Sequence, residues 1–142
     1  MKIILNIDPK PQARPRFARR GNFTTTYEDK EMKSWKNKCR LLITKHQADK
    51  PVLEGALRTR VKFFIKPPQY ISKVKKNRQA LTDETIPVSK KADLDNYIKA
   101  LFDSANGILY KDDGQIAEIY AVKVYSASPR IEFEIEEISH EN

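Results

Sequence analysis

The chain has 142 residues, 39% apolar and 32% charged, enough for one ordinary domain (residues 1–142) with a real core. No stretch approaches the roughly 18 apolar residues that mark a membrane span, and the short apolar run of MKIILNID has no small-residue cleavage site after it, so neither a membrane anchor nor a signal peptide is expected. Cys39 is the single cysteine and His46 and His140 lie far apart, which argues against a disulfide, a thiolate zinc site or a His/Cys metal site and makes the reducing cytoplasm the expected address.

Residues 2–8 read as a strand, with Ile3, Leu5 and Ile7 on one side. Residues 9–25, PKPQARPRFARRGNFTT, show no helical or strand period and read as a basic loop. From Glu28 to about His46 there is no Gly or Pro, and Trp35, Cys39, Leu42 and Ile43 recur at helical spacing, which predicts a helix. Residues 57–66 are the clearest strand: Leu57, Thr59, Val61, Phe63 and Ile65 face one way, and Arg58, Arg60, Lys62 and Lys66 face the other with Phe64. Pro67 to about Ala92, proline-containing and basic up to Arg78, reads as a long mobile connection.

Leu94 to Ala105 is the second predicted helix, with Leu94, Ile98, Leu101, Phe102 and Ala105 on an apolar arc and Asp95, Lys99 and Asp103 along its polar edge. Asn106-Gly107 is read as its left-handed C-terminal cap. Residues 115–126 form a strand, and Ile131, Phe133 and Ile135 alternate with Glu132, Glu134 and Glu136 in a last one after the turn at Ser128-Pro129. The order β-α-β-(loop)-α-β-β predicts an α+β (mixed α/β) domain, a sheet with two main helices.

The net charge of +8 hides an asymmetry. Residues 1–80 carry 21 Lys/Arg against 6 Asp/Glu, a net of +15, whereas residues 81–142 carry 6 against 13, a net of −7. Cations that neutralise phosphates beside carboxylates that hold a metal are what a metal-dependent nuclease needs, although uneven surface charge alone would look the same. The chemistry concentrates between Asp93 and Asp113. Asp93-Leu94-Asp95-Asn96 enters the helix, where two carboxylates can converge on one hard cation or simply cap the helix. An EF-hand fits poorly, because Ile98 stands where its loop needs glycine. Lys99, one turn past Asp95, is either an i,i+4 ion-pair partner or an ammonium that steadies a phosphate. Lys111-Asp112-Asp113-Gly114-Gln115 is either a tight turn or a second acidic element of the same site.

The run KKADLDNYIKALFDSANGILYKDDGQIAEIYAVKVY resembles the signature of RusA-type Holliday junction resolvases, a family encoded mostly by phages and prophages. The match falls on Lys90, Lys91, Asp93, Leu94, Asp95, Asn96, Lys99, Phe102, Asp103, Asp112, Asp113, Gln115 and Ile116, and PKPQARPRF is similar to the Pro/Arg-rich loop of relatives. The resemblance implies a Mg²⁺- or Mn²⁺-dependent endonuclease, homodimeric, cutting four-way junction DNA by paired symmetric nicks. It implies Asp93, Asp95 and Asp113 as metal-binding carboxylates, Lys99 as the catalytic or DNA-positioning lysine, and Lys91 beside the site with Lys90. It leaves Asp112 as a turn or supporting residue, and gives Asn96 and Asp103 the task of holding the helix. The connection before Lys91 is longer and more basic than in the shortest members. Arg14, Arg16, Arg19 and Arg20, with the strand cations Arg58, Arg60 and Lys62, are the expected phosphate contacts, each of which could equally be a solvated charge. Two alternatives stand beside this reading: a non-catalytic module that binds branched DNA, and a structure-general metal nuclease.

Overall fold

The strand Leu57–Ile65 (β4) is central because its two faces differ in chemistry: Leu57, Thr59, Val61 and Phe63 are buried, and Arg58, Arg60 and Lys62 are exposed. The computed structural model describes residues 1–13, 16–21, 23–27, 29–90 and 92–139, without the side chains of 16–20 and 23–27. On one side β4 pairs antiparallel with Arg130–Glu137 (β6), which in turn pairs with Lys2–Leu5 (β1). On its other side it pairs in parallel with Ile116–Tyr125 (β5), giving the sheet order β1-β6-β4-β5. A parallel pair needs a long crossover, and the segment between Ile65 and Ile116 supplies it.

Two helices cover one face. Lys30–Gln47 (α1) buries Met32, Trp35, Cys39 and Ile43; the fourth helix of the chain, Leu94–Ala105 (α4), buries Tyr97, Ala100, Leu101, Phe102 and Ala105. These side chains form one core with Ile3, Leu5, Ile131, Phe133 and Ile135 of the sheet. Each large apolar side chain buried there contributes about 1.5–3 kcal/mol before entropy is counted. Burial pushes the Cys39 thiol up to about 11, so this cysteine packs and has no thiolate character.

Three segments differ from the sequence expectation. Within the expected basic loop, Arg16–Arg20 (β2) and Phe23–Tyr27 (β3) pair as an antiparallel hairpin with Gly21 at φ +60° in its turn. The Phe-Thr-Thr-Thr-Tyr run is β-branched and aromatic, and its strand propensity outweighs the arginines beside it. The connection after β4 is ordered into Gln69–Ser72 (α2), a 3₁₀ turn at Lys75–Asn77 and Arg78–Asp83 (α3). It docks through a small cluster of Leu81, Val88 and Tyr125. Ile86–Val88 also lies along the edge of β5, with Val88 N–H donating to the Lys123 carbonyl at 3.1 Å and Tyr125 N–H to the Ile86 carbonyl at 2.9 Å. That pairing covers part of an edge strand. At the end of α4, Gly107 does take φ +79°, but its N–H donates to the Tyr110 carbonyl at 2.7 Å and not back into the helix. Tyr110 is buried beneath, its hydroxyl donating to the Phe102 carbonyl at 2.8 Å. Among the described residues no helix is long and apolar enough to cross a membrane.

Candidate functional site

The bend before α4 is made by Asp93, at φ −63° and ψ 145°, the N-cap position of the helix. An aspartate there ordinarily accepts from the backbone N–H groups of the first turn. Asp93 makes no such side-chain bond. Contrast Asp29, which caps α1 by accepting from Glu31 N–H. Asp95, in the first turn of α4, is exposed and like Asp93 has no hydrogen-bond or ion-pair partner among the described residues.

The second acidic pair divides in the same way. Asp112 caps the 3₁₀ turn Asp113–Gln115: its carboxylate accepts from Gly114 N–H at 2.9 Å, and the Gln115 side-chain oxygen accepts in return from Asp112 N–H at 3.2 Å. Gln115 then ties the turn to its surroundings by donating to the Leu53 and Gly55 carbonyls. A side chain at Gly114 would bring a Cβ within 2.8 Å of the Asp112 carboxylate, so the cap requires glycine. Asp113 takes no part in the cap and has no partner among the described residues. The backbone turn is thus held by Asp112 and Gln115, and Asp113 is left uncommitted.

Lys99 lies between the two acidic segments. Its ammonium donates to Asp103 at 3.1 Å, one turn further along α4 and not one turn back to Asp95, and Asp103 also accepts from Lys36 of α1 at 3.3 Å. The Asp103 hydrogen bond is the main reason the Lys99 ammonium is held above its ordinary range, and the charges of Asp113 and Asp112 push the same way. Tyr110 is pushed up chiefly by burial, and then by Asp113, Asp103 and Asp112. The turn carrying Asp113 also lies against α4.

A carboxylate-only donor set without competing partners suits a hard divalent cation such as Mg²⁺, which takes oxygen ligands and keeps several waters. Asp93, Asp95 and Asp113 meet that chemical requirement. They do not form a closed cluster: among the described residues, no three Asp, Glu, His or Cys side chains already converge at metal-binding spacing.

Residues 6–136 match the family model of the endodeoxyribonuclease RusA. The chain belongs to the RusA family. It is also 30% identical over 139 residues to an uncharacterized protein, YqaN, of Bacillus subtilis (strain 168), covering 98% of this chain and 97% of that protein.

Around the aspartates of this RusA family member, two segments stand close whose role the sequence did not disclose. The proline-rich stretch before the hairpin lies on the first turn of α4, Gln12 N–H donating to the Asn96 carbonyl at 2.9 Å. Its start is anchored by Trp35, whose indole N–H donates to the Asp8 carbonyl at 2.7 Å. Arg14 and Lys91, with the side chains of Arg16, Arg19 and Arg20, lie outside the described residues. Lys90 is exposed just ahead of Asp93. The other segment is β5, whose Lys123 ammonium donates to the Lys90 and Ala92 carbonyls. The available sequence signal was a lysine at an inward register position, opposite Phe63.

Arg58, Arg60 and Lys62 stand apart from the aspartates. They project from the face of the sheet opposite α1 and α4, among Glu118, Glu132, Glu134 and Glu136. Arg58 is ion-paired to Glu118 and Glu136, which pushes its guanidinium further up, and Arg60 lies over the Tyr120 ring at 5.1 Å. Arg60 and Lys62 have no ion-pair partner among the described residues.

Proposed function

We propose that the chain is a Mg²⁺- or Mn²⁺-dependent endonuclease that resolves four-way DNA junctions, working in the cytoplasm as a homodimer that makes paired symmetric nicks. The observation that carries this reading is the division of the aspartates. Asp103 and Asp112 are occupied by ion pairs and a cap, whereas Asp93, Asp95 and Asp113 are withheld from every such task among the described residues. Stability gives no reason to leave three neighbouring carboxylates free; binding a cation does. Family membership supplies the class of substrate.

Asp93, Asp95 and Asp113 would hold the divalent ion. When bound, such an ion supplies an activated water and neutralises charge on the scissile phosphate. Lys99 stays protonated because Asp103 and the nearby acidic turn favour its charged form, and its ammonium assists the negative charge that builds on the phosphate. Asp103 orients that ammonium and, through Lys36, links α4 to α1. Asp112 and Gln115 fix the turn that presents Asp113. Lys90, Lys91 and the arginines at 14, 16, 19 and 20 bind the DNA backbone beside the cut. Two strands of like polarity must be cut on one junction, and a two-fold dimer presents two identical sites for them.

The decisive experiment is a competition in Mg²⁺ between a four-way junction and linear duplex, flap and RNA hairpin. The junction is expected to be cut preferentially, in symmetric pairs. Equal cutting of linear duplex would make the protein a structure-general nuclease, and binding without any cutting would make it a branched-DNA-binding module.

A second expectation concerns the docked segment after β4. From Lys66 to Thr82 it contains no acidic residue, and Lys73, Lys75, Lys76 and Arg78 have no ion-pair partner among the described residues. These cations, more than Arg58, are free to meet phosphates. Changing all four to glutamine is expected to weaken junction binding and to flatten its salt dependence by roughly one unit of slope for each phosphate no longer neutralised. The same slope as the unaltered protein would show that this segment stays off the DNA.

A further inference from the structure

Lys123 is a lysine in an inward position. It lies in β5 opposite Phe63, on the face covered by α1 and α4, where an apolar residue would be expected. Lys123 is partly buried, and its ammonium finds acceptors there. Its two bonds go to main-chain carbonyls on either side of residue 91: Lys90 at 3.0 Å and Ala92 at 2.7 Å. The same residue holds the chain slightly earlier by its backbone, its carbonyl accepting from Val88 N–H at 3.1 Å. The approach to Asp93 is therefore tied to β5 at several points, with the Lys123 side chain holding the last residues before the bend.

The consequence follows from where β5 begins. The strand starts at Ile116, directly after the turn that presents Asp113. A single rigid strand thus carries Asp113 at one end and, through Lys123, grips the backbone that presents Asp93. We propose that Lys123 is a positioning residue: it sets the place of Asp93 relative to Asp113 by clamping the Lys90–Ala92 backbone. The inference rests on the reading of these aspartates as metal-binding groups, and Lys123 itself touches neither metal nor scissile phosphate in it.

The test compares Lys123→Met, which keeps the stem and loses the donors, with Lys123→Arg, which keeps donors. Backbone mobility at Ala92–Leu94 is read from ¹⁵N order parameters, Mn²⁺ affinity from the EPR signal of free Mn²⁺, and kcat from cleavage of a four-way junction. Lys123→Met is expected to lower the order parameters at Ala92–Leu94 while β4 and β6 keep theirs. It is also expected to weaken Mn²⁺ binding by roughly 10–100-fold, the usual cost of losing a group that supports metal ligands. The kcat falls at limiting Mn²⁺ and recovers as Mn²⁺ is raised, and Lys123→Arg restores part of the loss. Wild-type order parameters and Mn²⁺ affinity in Lys123→Met would overturn the clamp. If Lys123→Met loosens β4 and β6 as well, Lys123→Gln is read by the same two criteria. If the wild-type chain binds no Mn²⁺, the metal-binding reading of the aspartates falls, and the clamp is judged on backbone mobility alone: lower order parameters at Ala92–Leu94 support it and unchanged ones overturn it.

Discussion

Asp95→Asn and Asp113→Asn are each expected to remove junction cleavage while leaving junction binding and thermal stability at their wild-type values. The loss should exceed the roughly 10–100-fold that follows removal of a group merely supporting a metal ligand. Stability is spared because neither carboxylate has a hydrogen bond or ion pair to lose among the described residues. The neighbouring Asp112 provides the internal control. Asp112→Ala removes the bond from Gly114 N–H and one half of the cap with Gln115, and should cost about 1 kcal/mol of stability, as loss of a cap does. Its effect on cleavage should come through a loosened turn and be smaller than that of Asp113→Asn. Cleavage is measured on a labelled junction in Mg²⁺, and binding by gel shift in Ca²⁺. Full activity in Asp113→Asn, or equal losses in Asp112→Ala and Asp113→Asn with unchanged stability in both, would remove Asp113 from the metal site.

That contrast also marks the boundary of what the sequence could disclose. Period and composition suffice for β4, β6, α1 and α4, because each buries mainly one face and its apolar spacing records that burial: α4 runs from Leu94 to Ala105, as its arc predicts. The hairpin Arg16–Tyr27 and the short helices after β4 are not legible in this way. The arginines mask the strand propensity of the hairpin, and the short helices take their order from long-range partners, Tyr125 for Leu81 and Val88, which no local window contains. For the candidate site, residue types are visible in sequence but commitments are not. DLD and DDG each have a capping reading, and only the contacts distinguish Asp112, which caps, from Asp93, which stands at a cap position without capping. Lys99 shows the same limit. Its spacing allows Asp95 or Asp103 as partner, and only the structure shows that it takes Asp103, which Lys36 of α1 also pairs with. Arg58 shows the limit from the other side: strand alternation finds its exposed face, but the glutamates paired with it sit on β5 and β6, sixty or more positions away along the chain.

Arg130→Ala should be the most destabilising single change outside the core. The guanidinium of Arg130 holds Glu84 by two bonds, 2.6 and 3.0 Å, also binds Glu132 at 2.8 Å, and covers the Phe64 ring at 3.8 Å. Glu84 adopts a left-handed conformation, φ +60°, unusual for a residue with a side chain, and its carboxylate also accepts from the Ser126 hydroxyl. Both members of the pair are mostly shielded, with side chains 20% and 23% exposed, so removing the arginine leaves a half-buried carboxylate without its cation. A loss of about 2–3 kcal/mol is expected. The direction with pH follows from Glu84, whose carboxyl is held below its ordinary 4.5 mainly by the Arg130 hydrogen bonds. A carboxyl depressed in the folded state stabilises the fold above the unfolded value and ceases to do so as pH falls through the folded value. The stability gap between wild type and Arg130→Ala, measured by urea unfolding, should therefore be full at pH 7 and shrink below about pH 4. An equal gap at pH 7 and pH 3 would assign the loss to the Phe64 contact instead of to the carboxylate pairs. Because Glu84 closes α3, loosening this pair should also raise amide exchange in α3 and along Ile86–Val88, the part of the crossover that carries the chain on to Lys123 and Asp93.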